Sequence, residues 1–120
     1  MTGAEAAARA ALAADRGQAD GYAILAVVYA ERANWSELEE VLSSAAEAVP
    51  DDPLPYYRAA ERLLADGRDP ARAERYLRVY LSQEPEGNRP SAADARRKLV
   101  TAGNGVAADA SNTVKGGRAN

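Results

Sequence analysis

The side chains that could do chemistry in this chain are carboxylates, arginines and tyrosines, because it contains no histidine and no cysteine. That composition removes cysteine nucleophiles, disulfide frameworks and the ordinary zinc sites. A general base would have to be a carboxylate, a lysine or a tyrosine with a displaced pKa. The adjacent carboxylates Asp51 and Asp52 precede Pro53, and turn formation explains them better. No glycine-rich loop stands ready to cradle a phosphate or an oxyanion, and Gly116-Gly117 matches no such pattern. Asn34-Trp35-Ser36 spells the glycosylation sequon, but a tight turn and a helix cap account for the same residues. The sequence therefore predicts no catalytic activity, no metal and no cofactor.

Binding is the chemistry with more support. Arg58, Arg62 and Arg97 could each grip a carboxylate or phosphate through two N–H groups, although such arginines more often pair with nearby acids such as Glu61. Tyr57 offers a large, stiff contact surface for a partner, and could equally pack against Leu54 or a neighbouring helix. The net charge of −3 is unevenly spread. Residues 1–57 hold ten acids against three arginines, whereas residues 58–102 hold ten bases against seven acids. Such a difference can orient a partner or a neighbouring copy, and is also what solvated helix faces produce.

These residues need a frame, and the bulk properties indicate a helical one. A chain of 120 residues fits one small domain with a modest core. Alanine and leucine dominate, phenylalanine is absent and β-branched residues are scarce, as in an all-helical protein. The longest apolar run, Ala23 to Ala30, is under half of the roughly 18 to 20 residues a membrane span needs. The N-terminal residues lack the basic-then-apolar order of a signal peptide. The absence of cysteine leaves cytoplasm and periplasm both open, with the cytoplasm slightly favoured. Few lysines beside many alanines and arginines hint at a bacterial source.

One helix-pair pattern is written twice. Tyr22, Leu25, Ala26 and Tyr29 recur 34 residues later as Tyr56, Ala59, Ala60 and Leu63. Leu38, Leu42, Ala45 and Pro50 recur 35 residues later as Ala73, Leu77, Tyr80 and Pro85, the extra residue falling in the turn Gly67-Arg68-Asp69. A fixed period of this length signals stacked helix pairs. Residues 4–14 form an alanine-rich helix supported by Glu5 and Arg9 at i,i+4, and look like the second helix of a half-repeat. The next helix, about residues 19–32, is apolar over so much of its circumference that it must be covered on two sides. Its partner starts at Ser36-Glu37-Leu38-Glu39, a capping-box pattern, and stops at Pro50. A fourth helix runs over about 54–66 with Gly67 at its left-handed end, and Asp69-Pro70 starts a fifth that reaches about Gln83. After a loop over Glu86 to Pro90, Ser91 and Asp94 cap a last helix that Gly103 ends.

The repeat resembles the tetratricopeptide repeat family. Tyr22, Leu25, Ala26, Tyr29, Leu42, Ala45 and Pro50 match that family's pattern in the first copy. Tyr56, Ala59, Ala60, Leu63, Gly67, Ala73, Leu77 and Pro85 match in the second. Leu38 and Tyr80 depart from it, standing where small residues are usual, and Tyr80 predicts a last helix docked at an altered angle. The resemblance implies an all-α fold of antiparallel helix pairs stacked as a short right-handed solenoid over residues 1–102. Within it lie a half-repeat at 4–15, repeats at 19–52 and 53–87 and a terminal helix at 91–102, followed by a disordered tail at 103–120. The similar pentatricopeptide repeat binds RNA one base per repeat, but two copies in an acidic chain do not suit that task.

The first helix of each pair lines a concave groove in this family. Its groove positions carry over to Ala23, Val27, Ala30 and Glu31, to Tyr57, Arg58, Glu61 and Leu64, and to Ala93 and Arg97. The resemblance thus implies a peptide-binding groove built on Ala23, Val27, Tyr57, Arg58, Glu61 and Arg97, and a scaffold or adaptor role without enzymatic activity. Ala23 and Val27 replace the polar residues with which some members clamp a C-terminal carboxylate, which argues against that activity. A second possibility is self-association, because a chain that begins inside a repeat leaves the Val27/Val28 side thinly covered. Such a beginning is equally expected of a piece of a longer repeat array.

Overall fold

A computed structural model describes residues 3–83 and 90–118, with side chains described through Ala107. The described residues are all-helical, in the order α1 (Gly3–Ala14), α2 (Ala19–Glu31), α3 (Trp35–Ala48), α4 (Leu54–Ala65), α5 (Pro70–Ser82) and α6 (Ala92–Arg118). Pro85 and most of the loop expected at Glu86 to Pro90 lie outside them. None of these helices is long and apolar enough to cross a membrane.

α2 is the central element. It packs most extensively on α4 and is also covered by α1 and α3, which explains an apolar surface on nearly every side. The Arg68 guanidinium just beyond α4 donates to the carbonyl of Glu31 at 2.6 Å, so the two helices end side by side. α5 lies against α4 in the opposite direction: Tyr76 meets Tyr56 edge-on, with ring centroids 5.8 Å apart. One continuous core runs through the stack, built on Leu25, Leu38, Leu42, Leu63, Leu77 and the rings of Tyr22, Tyr29, Tyr57, Tyr76 and Tyr80. α6 leans chiefly on α5 and less on α4. Tyr80 is buried at that junction, and its hydroxyl donates to the carbonyl of Pro90.

Turn chemistry sets the lengths of the helices. Gly67 adopts φ +62°, and the Arg68 amide behind it reaches back to the Leu63 carbonyl at 2.9 Å. Ala33 stands 34 residues earlier and does the same with φ 56°, while the Asn34 amide closes onto Tyr29 at 2.9 Å. Alanine is strained there by its Cβ, whereas glycine is not. Ala33→Gly is therefore expected to stabilise the fold by about 0.5–1 kcal/mol, read as a higher urea midpoint with an unchanged slope. Asp69 caps α5, its carboxylate accepting from the Arg72 amide at 3.2 Å ahead of Pro70. Ser91 likewise accepts from the Asp94 amide at 3.1 Å.

Two expectations about helix ends are corrected. α3 starts at Trp35 behind Asn34, and Ser36 makes no capping bond, because the Ala33 turn delivers the chain into the helix earlier. Glu39, the other half of the expected capping box, turns instead to α5, where Arg72, Arg75 and the Tyr76 hydroxyl all donate to it. The second correction concerns Gly103, which does not end α6; the helix continues to Arg118, through the segment read from sequence as a disordered tail. The glycines there permit close packing. A Cβ on Gly105 would lie 2.9 Å from the Pro70 ring, so glycine lets α6 pass the start of α5.

α1 is held by a polar bolt. Glu5 is 6% exposed, the buried charged residue of the described core. It accepts from Arg32 at 2.9 Å and from the Tyr29 hydroxyl at 3.0 Å, with Arg9 beside it at 3.5 Å. The Arg32 hydrogen bond outweighs burial and holds the Glu5 carboxyl below its ordinary pKa. A lowered folded pKa gives stability that is present above the unfolded value, about 4.3, and lost as pH falls through the folded one. Glu5→Gln should therefore melt below the parent chain at pH 7, and the gap should shrink as pH falls below 4. At the other extreme, burial first and then the Glu39 hydrogen bond push the Tyr76 hydroxyl up to about 12. Its contribution is present below the unfolded value, about 10, and lost as pH rises through the folded one.

Candidate functional site

The charged and aromatic residues singled out from sequence gather where α4 faces α6. Tyr57 comes from the second turn of α4, three residues past Leu54. Asp94, Arg97, Lys98 and Thr101 project from α6 at i, i+3, i+4 and i+7, one face of a helix. The Ser91 cap and the Tyr80–Pro90 hydrogen bond fix the start of α6 and so which of its faces looks at α4. Together the five residues line an open hollow of about 420 Å³.

Tyr57 forms its floor at 2% exposure, the ring tilted against Tyr80 with centroids 5.1 Å apart. The Arg58 guanidinium lies 5.6 Å from the ring centre and the Lys98 ammonium 5.9 Å, within reach of a cation–π attraction. Glu61 serves both cations, at 3.0 Å to Arg58 and 3.8 Å to Lys98. Arg97 pairs with Asp94 one turn earlier. Burial, reinforced by Glu61, raises the Tyr57 pKa, so its hydroxyl remains a neutral donor at ordinary pH.

The structure thus brings Tyr57, Arg58, Glu61 and Arg97 together, and leaves Ala23 and Val27 apart from them on α2. Ala23 is buried by the helices around it and offers no usable groove surface, and Val27 is half-buried. Tyr57 is no projecting anchor: packing against Tyr80 takes its ring into the core. Arg58, Arg62 and Arg97 each have an acid partner, Arg62 pairing with Asp66 at 2.9 Å. Ala93 is exposed and turned from the hollow, while Asp94, Lys98 and Thr101 had not been assigned to it. Their spacing by four and then three residues was available in the sequence; the orientation of α6 was not. On the Val27/Val28 side, Val28 is buried.

A smaller apolar notch of about 80 Å³ lies on another side of the stack, among Ala46, Val49, Pro53, Tyr56 and Val79. Asp52 stands at its rim and accepts from the Leu54 amide at 3.1 Å, so this carboxylate is used in a turn. Comparison with models of known families, with curated proteins and with solved structures finds no match to this chain.

Proposed function

We propose that this chain is a non-enzymatic interaction domain that binds a peptide segment of a partner protein in the hollow between α4 and α6, in keeping with its resemblance to tetratricopeptide repeats. The observation that carries the reading is the hollow between α4 and α6, which joins an aromatic floor to a rim of paired charges. Aromatic and arginine residues are the types over-represented among energetically dominant contacts at protein interfaces. A rim of ion pairs contributes little to stability and can exchange partners at small cost.

The test is selection of random peptides displayed on phage against the full chain. Enriched peptides should compete with one another for one site and lose binding to Arg97→Glu. Failure to enrich any peptide would sink the reading. Light scattering with size-exclusion chromatography, from micromolar to millimolar chain, separates it from self-association. A monomer throughout is the expected result, and a stable dimer would transfer the proposal to an assembly role in which the unequal charge of the two halves orients the copies.

A further inference from the structure

Donors outnumber acceptors in the hollow. Tyr57 is 2% exposed, and its hydroxyl has no hydrogen-bond partner among the described residues. Tyr57 lines the hollow, and Glu61, Arg58 and Arg97 act on its hydroxyl electrostatically. Lys98 is only loosely held, 3.8 Å from a Glu61 carboxylate that also serves Arg58 at 3.0 Å. Thr101 donates to the Arg97 carbonyl at a long 3.3 Å. Without a hydrogen-bond partner among the described residues, the phenol can donate to an acceptor brought to it.

We infer that the hollow receives the carboxylate side chain of an aspartate or glutamate within the bound peptide, with Tyr57 and Lys98 as its donors and Arg97 at its mouth. The inference rests on the peptide-binding reading and adds the chemistry of one subsite. Charge selects a carboxylate over a phosphate. Three cations (Arg58, Arg97 and Lys98) stand with two carboxylates (Glu61 and Asp94), a surplus of one that matches a single negative charge. A phosphate group, close to doubly charged at neutral pH, would leave about one charge unmatched. The hollow of about 420 Å³ exceeds one side chain, so the adjoining peptide backbone enters with it.

The experiment uses peptides enriched on the full chain, synthesised with capped ends. They should share an acid at one fixed position. Replacing that acid with its amide should weaken binding about tenfold or more, the usual size of a hydrogen bond to a charged group. Tyr57→Phe and Lys98→Gln should each weaken the acid peptide and leave the weakened amide version unchanged. Tyr57→Phe should keep its melting temperature within about 2 °C, because the hydroxyl it loses has no partner among the described residues. Enriched peptides without a shared acid, or equal affinity for acid and amide, would overturn the carboxylate subsite while the peptide reading stood. Tighter binding of a phosphoserine version would overturn it in favour of phosphate. If no peptide is enriched, the peptide reading falls and the subsite with it.

Discussion

Leu77→Ala is expected to lower the unfolding free energy by about 2–5 kcal/mol, and Leu42→Ala by a similar amount. The two leucines occupy equivalent places in the two copies, 35 residues apart, on α5 and α3. Leu77 is fully buried and Leu42 is 1% exposed, so truncation removes apolar surface and leaves a cavity that rigid helices fill poorly. A small domain has about 5–15 kcal/mol of stability in all, so either change would consume a large share of it. Urea titration should show a lower midpoint at constant slope. Val100→Ala is the control: at 65% exposure it should fall within about 0.5 kcal/mol of the parent chain. A loss below about 1 kcal/mol for both leucines would mean the repeat had been aligned to the wrong faces.

The repeat made those positions legible because helix packing is periodic. Tyr22, Leu25, Ala26 and Tyr29 read as one face and are buried together, as are Ala59, Ala60 and Leu63 in the second copy. Local punctuation was legible for the same reason: Asp69-Pro70, Gly67 and Ser91 act within a few residues of themselves. What misled was local chemistry overridden by a distant partner. Ser36 and Glu39 have capping-box spacing, yet Glu39 is drawn to Arg72, Arg75 and Tyr76, more than thirty residues away. Gly103 reads as a stop because a glycine without context costs helix stability. The nearby contact of Gly105 with Pro70 is what the sequence conceals. Glu5 is the sharpest case. Its i,i+4 spacing to Arg9 speaks only for a local helix, and it takes the fold to bring Arg32 and Tyr29 to it and allow its burial.

The site was legible by composition more than by geometry. Arg58 and Glu61 are three residues apart on one helix, so their pairing follows from spacing alone. Lys98 joins them from α6, a relation that depends on how two helices separated by a loop are docked. Tyr80 carried a clue, since a large ring where a small residue is usual must displace something. Its ring tilts against Tyr57 and its hydroxyl anchors the chain entering α6. Tyr80 thereby sets both the floor of the hollow and the helix that forms its wall. Ala23 failed as a groove residue because three neighbouring helices surround α2. Carrying over family groove positions takes no account of that coverage.

Tyr57→Ala should cost about 3–5 kcal/mol of stability, the range for removing a buried aromatic ring. The ring is 2% exposed and tilts against Tyr80 at 5.1 Å, so its loss opens the junction of α4 with α5 and removes an aromatic contact of about 0.5–1.5 kcal/mol. The cation–π contacts from Arg58 and Lys98 go with it. A binding defect in this variant would therefore report the missing floor and a damaged fold together. Tyr57→Phe separates them, because it keeps the ring and removes a hydroxyl without a partner among the described residues. Thermal melts of the two variants decide the matter before any ligand is added. A large drop for alanine with almost none for phenylalanine assigns the ring to the core and leaves the hydroxyl for a ligand. Equal drops would mean that the hydroxyl already has a structural partner, and would remove the main support for a ligand in the hollow.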